Sequence, residues 1–423
     1  MANGIDIDDL REPVISEAGR KVLAARAAIP IPFSMDGILK FAEGELDVPL
    51  YRGEFFLERL ESFMLEGSRA CQLSDAGKGF LTATMANLVI QRSRFEHLFQ
   101  QHPEIEDVEL YAPIVLAGIP RSGTTNLSNI MASDSRLNSL TFWEGYRPVP
   151  AQDVLTGKVE DDSRDLYWKK GLADMTAVAP LFQNMIDIPY DGATEETTLM
   201  HMAGMPVGHQ NHVYTPDWNH WFWKEMDPAV LYSFLRKAIQ ALQWLRGINK
   251  RWILKSPHHL AFLPSVDRFF PGAKYVITHR DPASSMVSNM YMIAYIFRET
   301  QDRPNVDGAF GVATGMGQGM IGGLVRDIDS LNPADVEHIY FHEYMADPMG
   351  MLKRVYQRAE LEWTEQAEGE LKAYIDSHQR GRHGGKLMYH PERDFNRTRN
   401  EIRAPYNYYL EKFPDIRIEE SHG

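Results

Sequence analysis

Residues 113–133, PIVLAGIPRSGTTNLSNIMAS, decide how the chain is expected to fold. Residues 113–117 form a short apolar run with β-branched side chains, which is typical of a buried strand. Residues 118–125 form a loop with two glycines, after which apolar residues recur at the spacing of an α-helix. This order brings backbone N–H groups and the positive end of a helix dipole together. The stretch therefore predicts a cradle for an anion such as a phosphate.

The loop nearly matches the phosphate-binding pattern of nucleotide hydrolases, in which a lysine precedes a serine or threonine. Gly118 and Gly123 have the expected separation and Thr125 is in place, but Thr124 stands where the lysine belongs. The basic residue of this loop is Arg121. Because the lysine reaches the β- and γ-phosphates, its absence argues against hydrolysis of a nucleoside triphosphate. An ordinary strand-to-helix turn is the alternative interpretation.

The remaining sequence alternates short apolar runs with helical patterns. It predicts an α/β fold: a P-loop-type, doubly wound parallel sheet flanked by helices. Strands are predicted at residues 113–117, 138–143, 251–255, 273–278 and 336–341. We expect residues 1–105 to form an N-terminal helical extension packed on the core, and residues 106–423 to form the α/β domain. The glycine-rich tract 308–323 is expected to be a mobile loop.

Composition excludes several classes of function. The net charge of −14 argues against a nucleic-acid partner. The single cysteine, Cys71, excludes an intramolecular disulfide framework and a cysteine-based zinc site. No apolar run reaches membrane-spanning length and the N-terminus lacks a signal-peptide pattern, so a cytoplasmic protein is expected. The oligomeric state, including a homo-oligomer, is left open.

Three predicted strand ends carry polar residues: 121–125, 255–259 and 279–288. In a doubly wound sheet such ends meet in one crevice, where the ligand binds. Arg280 and Ser288 bracket a predicted helix start and could together hold a second phosphate. Two anion sites on one sheet indicate a nucleotide that is phosphorylated at two places.

These segments resemble the sulfotransferases that use 3′-phosphoadenosine-5′-phosphosulfate (PAPS). Residues 118–125 resemble the loop that binds the 5′-phosphosulfate, residues 280–288 resemble the 3′-phosphate segment, and residues 255–258 resemble the lysine-bearing strand end. An arginine in the first loop is closer to the bacterial small-molecule and tyrosylprotein branches than to the cytosolic one. The resemblance implies PAPS as co-substrate, no metal, and a donor site formed by Pro120, Arg121, Ser122, Gly123, Thr124, Thr125, Arg280 and Ser288.

The resemblance also implies catalytic roles. Arg121 and Lys255 would neutralise the charge that builds on the sulfuryl group and the leaving phosphate. The acceptor hydroxyl needs a general base, for which Glu144 is the first candidate and His258 the second. Alternatively, Glu144 simply pairs with Arg147, and His258 has a structural role at the start of the following helix.

The acceptor and two rival functions stay open at this stage. Methionine and aromatic residues near 200–223 are compatible with a small-molecule or lipid acceptor bearing a hydroxyl group. A P-loop kinase would need a lysine in the first loop and a metal-binding aspartate after a strand, and neither is evident. A non-catalytic scaffold would bind the nucleotide without turnover.

Overall fold

A computed structural model describes residues 4–158, 162–186, 188, 191–378 and 385–419. Its centre is a parallel sheet of five strands in the order β3-β4-β2-β5-β6. A short parallel pair, β1 with β7, joins the N-terminal and C-terminal segments. The strands are β1 (Ile5–Asp6), β2 (Ile114–Gly118), β3 (Leu137–Asn138), β4 (Arg251–Lys255), β5 (Lys274–His279), β6 (Val336–Tyr340) and β7 (Leu387–Met388).

The α-helices of the described residues cover the sheet and build a layer beside it. The first half of the chain contains α1 (Glu17–Ala27), α2 (Met35–Glu45), α3 (Glu54–Ala70), α4 (Asp75–Gln101), α5 (Thr124–Ala132), α6 (Phe142–Tyr146), α7 (Gln152–Leu155), α8 (Arg164–Val178), α9 (Phe182–Met185) and α10 (Thr197–His201). The second half contains α11 (Pro216–Lys224), α12 (Pro228–Arg246), α13 (Leu263–Phe269), α14 (Pro282–Ile296), α15 (Val306–Asp327), α16 (Phe341–Ala346), α17 (Pro348–Arg358), α18 (Glu365–Ser377), α19 (Pro391–Phe395), α20 (Arg399–Arg403) and α21 (Asn407–Lys412).

Strand β2 is the centre of the sheet, and all five of its residues are buried. It pairs with β4 on one side and with β5 on the other. The chain therefore winds outward in both directions from β2, and the carboxyl ends of β2, β4 and β5 meet at the point where the order reverses. This arrangement confirms the predicted doubly wound α/β fold.

The N-terminal helices begin at well-capped residues. The side chains of Ser16, Ser34 and Ser74 each accept a hydrogen bond from a backbone N–H in the first turn of α1, α2 and α4. Helix α1 packs against α4 and α8, and the buried apolar residues of α2, α3 and α4 share one hydrophobic core with the sheet. The division of the chain near residue 105 into an extension and a domain stays a prediction.

Two local predictions are wrong. Strand β3 ends at Asn138, and Phe142–Tyr146 forms α6 instead of continuing the strand, because Phe142 and Tyr146 lie one helical turn apart and both stack on Trp168. The glycine-rich tract expected to be a mobile loop is the interior of α15. Its glycines permit close packing that overrides their weak helix propensity: a Cβ at Gly323 would lie 2.8 Å from the carbonyl oxygen of Leu260.

No helix in the described parts of the chain is both long and apolar enough to cross a membrane.

Adjacent glycines of α15 should respond oppositely to substitution. A Cβ at Gly323 collides with the backbone of Leu260 and Ala261, so Gly323→Ala should destabilise the protein by about 1–3 kcal/mol. A Cβ at Gly322 meets nothing closer than the Tyr408 hydroxyl at 3.8 Å, so Gly322→Ala should stabilise it by about 0.4–1 kcal/mol. Denaturant unfolding of both variants measures the difference. A Gly323→Ala protein as stable as the Gly322→Ala control would contradict the close packing.

Candidate functional site

The loop after β2 has the backbone geometry of an anion cradle. Arg121 and Gly123 have positive φ angles of 69° and 95°, and α5 begins immediately afterwards without a side-chain N-cap. Gly118 faces Thr278 so closely that a Cβ would collide with its hydroxyl. The Ser122 hydroxyl lies 2.6 Å from that same hydroxyl and donates to the Ile119 carbonyl at 2.7 Å. The loop is thus held against β5 while the first turn of α5 opens toward the crevice.

Hydrogen bonds join this loop to the segment after β5. Arg121 donates from Nε to the Ser288 hydroxyl at 3.0 Å and from Nη2 to the Met185 carbonyl. Arg280 donates from Nη1 to the Arg121 carbonyl at 2.7 Å. Desolvation lowers the pKa of the Arg121 guanidinium, and the nearby charge of Arg280 lowers it further. The structure therefore brings the two predicted anion-binding segments together, as the sequence indicated.

Arg280 already holds a carboxylate. Its Nε and Nη2 donate to the two oxygens of Glu419 at 2.6 and 2.8 Å. The ring of Phe341 lies under the guanidinium, 4.0 Å from ring centre to Cζ. Two parallel N–H···O bonds of this kind are the way in which arginine binds a carboxylate or a phosphate. This contact could not be predicted from the sequence, because Glu419 is far from Arg280 along the chain.

Lys255 ends β4 inside the same crevice. It is 2% exposed, and its Nζ lies 3.0 Å from Oε1 of Glu195. Glu195 precedes α10, and both side chains line a cavity of about 860 Å³. Glu195 was not among the residues that the sequence indicated. Acidic residues are common before helices, so the local sequence carried no further signal.

His258 lies in a short 3₁₀ turn, Pro257–Ala261, directly after β4. Its Nδ1 lies 3.3 Å from the Ser256 hydroxyl and 3.4 Å from that of Thr197, and its ring stacks on Trp223 at 5.6 Å. No group of the described residues hydrogen-bonds its Nε2. Burial lowers the pKa of His258 to about 4, although the charge of Glu195 opposes the shift. The imidazole is therefore neutral at pH 7 and able to accept a proton.

A buried layer holds Glu195 and His258 in place. Glu196 and His259, the next residue of each segment, point away from the cavity, with Glu196 Oε2 3.6 Å from His259 Nε2. The Tyr232 hydroxyl lies 2.9 Å from His259 Nδ1. Glu196 and His259 are both 0% exposed. The contact between Glu196 and His259 holds the start of α10 against the turn after β4.

Glu144 is placed differently from what the sequence suggested. Its carboxylate accepts from Arg246 at both oxygens, with Nε to Oε1 at 2.9 Å, whereas Arg147 lies over the ring of Tyr167. The interpretation of Glu144 as a partner of Arg147 is therefore wrong. Phe142, Gly145 and Tyr146 of α6 line the cavity, but Glu144 is turned to the opposite side of α6. Its role as general base stays a prediction that this geometry does not support.

The cavity gathers most of the predicted residues. Those on its wall are Pro120, Arg121, Thr124, Thr125, Lys255 and His258. Arg280 and Ser288 lie behind Arg121, and the rest of the wall is largely apolar and comes in part from α1 and α4. No group of side chains with metal-ligand character occurs among the described residues. The arrangement can bind an anion at one end and an apolar molecule beside it.

Comparisons with known proteins agree with this geometry. Residues 113–365 match the sequence model of the sulfotransferase family. The fold is similar to that of a sulfotransferase from Mycobacterium avium, with a TM-score of 0.78 at 21% identity over 92% of this chain and 98% of that one. It is also similar to a sulfotransferase from Mycobacterium tuberculosis, with a TM-score of 0.73 at 18% identity over 88% of this chain and 97% of that one. No curated protein matches in sequence.

The ion pair of Glu144 with Arg246 should support the fold. Glu144→Gln leaves the half-enclosed guanidinium without its charge partner, and we expect a loss of about 3 kcal/mol of stability. Glu17→Gln is the control, because its pair with Lys21 is exposed and should contribute little. Unfolding midpoints of both variants measure the effect. Identical midpoints would show that the buried pair carries no stability.

Proposed function

The chain belongs to the sulfotransferase family, and we propose that it transfers a sulfuryl group from PAPS to a hydroxyl of a small-molecule or lipid acceptor. The observation that carries this proposal is the convergence of Arg121, Lys255 and His258 on one largely apolar cavity. Two cations and a neutral imidazole are the groups that sulfuryl transfer to an alcohol requires. Apolar walls keep water out and strengthen the electrostatic interactions inside.

The residues present fit the donor. The bond pattern of Arg280 with Glu419 is that of a bound phosphate, so this carboxylate is a stand-in for the 3′-phosphate of PAPS. Arg280 and Ser288 would hold that phosphate. The first turn of α5 and the side chain of Arg121 would hold the 5′-phosphosulfate, with residues 120–125 forming the loop around it.

Each catalytic group has one task in the proposed reaction. The donor supplies an activated sulfuryl group. Lys255 and Arg121 neutralise the charge that develops as the acceptor oxygen bonds to sulfur and the bond from sulfur to the phosphate oxygen breaks. His258 accepts the proton of the acceptor hydroxyl at Nε2. Glu195 holds the Lys255 ammonium at the end of β4.

The donor site can be tested by nucleotide binding. The product nucleotide, 3′-phosphoadenosine-5′-phosphate, should stabilise the protein by about 2.7 kcal/mol at a hundred times its Kd, and ATP with magnesium should stabilise it much less. Arg280→Ala should lose most of this stabilisation. Glu419→Gln should bind the nucleotide several-fold more tightly, because the 3′-phosphate no longer displaces a carboxylate. Thermal shift and calorimetry measure both effects.

Arg354→Ala is the matched control for Arg280→Ala, because Arg354 is a half-exposed arginine paired with Glu337. It should leave nucleotide affinity unchanged. Equal thermal shifts from ATP and from 3′-phosphoadenosine-5′-phosphate would contradict the donor assignment.

The base can be identified from variants and from a pH profile. His258→Asn should slow transfer by a factor of about a hundred to ten thousand at saturating donor, with donor affinity nearly intact. Because a base must be unprotonated, kcat/KM should fall as the pH drops through the pKa of His258, about 4, and stay level between there and neutral pH.

The transfer rates of Glu144→Gln and Glu195→Gln are measured alongside that of His258→Asn. We expect folded Glu144→Gln protein to keep the parental rate. If Glu195→Gln is inactive while His258→Asn retains its rate, Glu195 is the base instead. If only Glu144→Gln is inactive, Glu144 is the base.

A further inference from the structure

The end of the cavity formed by the N-terminal helices contains a second polar site. Arg26 from α1, His212, and Glu299 after α14 all line the cavity. Arg26 Nη1 and His212 Nδ1 each lie 3.5 Å from the same oxygen of Glu299, Oε2. We call these three residues the polar pole. They come from three separate segments of the chain.

The polar pole is separated from His258 by two further imidazoles. The rings of His201 and His209 are 4.4 Å apart, and those of His209 and His212 are 6.0 Å apart. Burial lowers the pKa of His201 to about 3. His201 lies one helical turn after Thr197, whose hydroxyl is 3.4 Å from His258 Nδ1, so the row of rings begins on the His258 side of the cavity. A molecule whose hydroxyl reaches His258 must therefore extend past this row before it meets the pole.

One buried atom of Glu299 and one of Arg26 lack a well-formed hydrogen bond in the part of the chain that the structure describes. Within the described residues, nothing donates to Oε1 of Glu299 and nothing accepts from Nη1 of Arg26, although the Glu299 side chain is only 2% exposed. Burial alone would raise the pKa of Glu299, but His212 and the charge of Arg26 outweigh it and lower the pKa. The carboxylate is therefore ionised, and a buried charged acceptor without a donor is costly.

Close backbone packing holds the pole in place. A Cβ at Gly79 of α4 would collide with the carbonyl oxygen of Arg26, and one at Gly77 would collide with that of Thr300, next to Glu299. The Ser74 backbone N–H also donates to the Thr300 carbonyl at 3.0 Å. The segments that carry Arg26 and Glu299 are thus fixed against α4, so the pole is preformed.

Resting on the proposed function, we infer that the acceptor is a diol: one hydroxyl takes the sulfuryl group at His258, and a second hydroxyl, across an apolar body, binds the polar pole. A hydroxyl donates to Glu299 Oε1 and accepts from Arg26 Nη1 at the same time. Because the charges of Arg26 and Glu299 cancel, a neutral group fits better than an ion. The body lies along apolar side chains of α1 and the residues just after it, of α4 and of α14, namely Val22, Ile29, Phe80, Leu88, Met292 and Ile296.

The test compares acceptors that differ by one hydroxyl. Androstanediol and androstanol form a rigid pair, and dodecanediol and dodecanol form a flexible pair. Binding to the full-length protein is measured by calorimetry in the presence of 3′-phosphoadenosine-5′-phosphate, so that this readout does not depend on turnover. Sulfate transfer from PAPS is measured separately on the same four compounds.

We expect the diol of at least one pair to bind about tenfold or more tightly than its monoalcohol, which is the gain from hydrogen bonds to charged groups. Glu299→Gln and Arg26→Met should remove most of this preference. The control is Asp174→Asn, which takes a carboxylate from another part of the cavity wall, where Asp174 pairs with Lys170. This control should keep the preference. The pair that responds shows whether the body is a ring system or a chain.

The ratio of diol affinity to monoalcohol affinity in the wild-type protein tests the inference even if a variant fails to fold. Equal binding of diol and monoalcohol in both pairs would overturn the inference, as would a preference that survives both pole variants. Tighter binding of the diol without any sulfate transfer would support the polar pole and overturn the proposed function. Equal binding of diol and monoalcohol, with sulfate transfer to both members of a pair, would support the proposed function and overturn the inference about the polar pole.

Discussion

The contact of Gly118 with Thr278 at the carboxyl ends of β2 and β5 is the constraint on which the loop after β2, and with it the proposed donor site, depends. The two residues face each other in neighbouring strands, and only a residue without a side chain leaves room for the Thr278 hydroxyl. That hydroxyl in turn holds Ser122. The loop is therefore bent over the sheet edge before any ligand is present, and Arg121 is directed sideways to Ser288. Preorganisation of this kind avoids an ordering cost at the moment of binding.

The two ends of the cavity serve different chemistry. At the sheet end, cations and backbone N–H groups meet within a chain whose net charge is −14, so attraction for an anion is local and arises from the fold. At the other end, α1 and α4 supply apolar side chains, and Arg26 of α1 forms a pair with Glu299, after α14, in which the two charges cancel. The helices α1 and α4 are thus part of the wall of the proposed acceptor cavity, and apolar residues of α4 share a core with the sheet.

The sequence predicted those structural features that are formed by residues close together along the chain. The strand, the glycine loop and the helix start around Arg121 form one local unit, and the polar residues at the ends of β4 and β5 follow buried strands directly. Glu195 could not be found in this way, because its partner Lys255 is brought to it only by folding. The same holds for Glu144, whose true partner Arg246 lies at the far end of α12. The helical conformation of the α15 tract could not be predicted, because its glycines contact other segments of the chain and local helix propensity does not report such contacts.

The glycine face of α15 limits how the enzyme can diversify. Gly323 packs on the backbone of the turn that carries His258, and Gly319 packs on Trp223, the ring that stacks on this histidine. The side of the cavity that carries His258 is therefore packed too closely to accept a larger side chain. A substitution there would displace His258 together with the cavity wall. The opposite wall includes side chains on α1 and α4, which can change size without moving a catalytic group. Descendants of this sequence that accept new substrates should carry many of their changes in these two helices, while the glycines of α15 and the turn after β4 stay nearly constant.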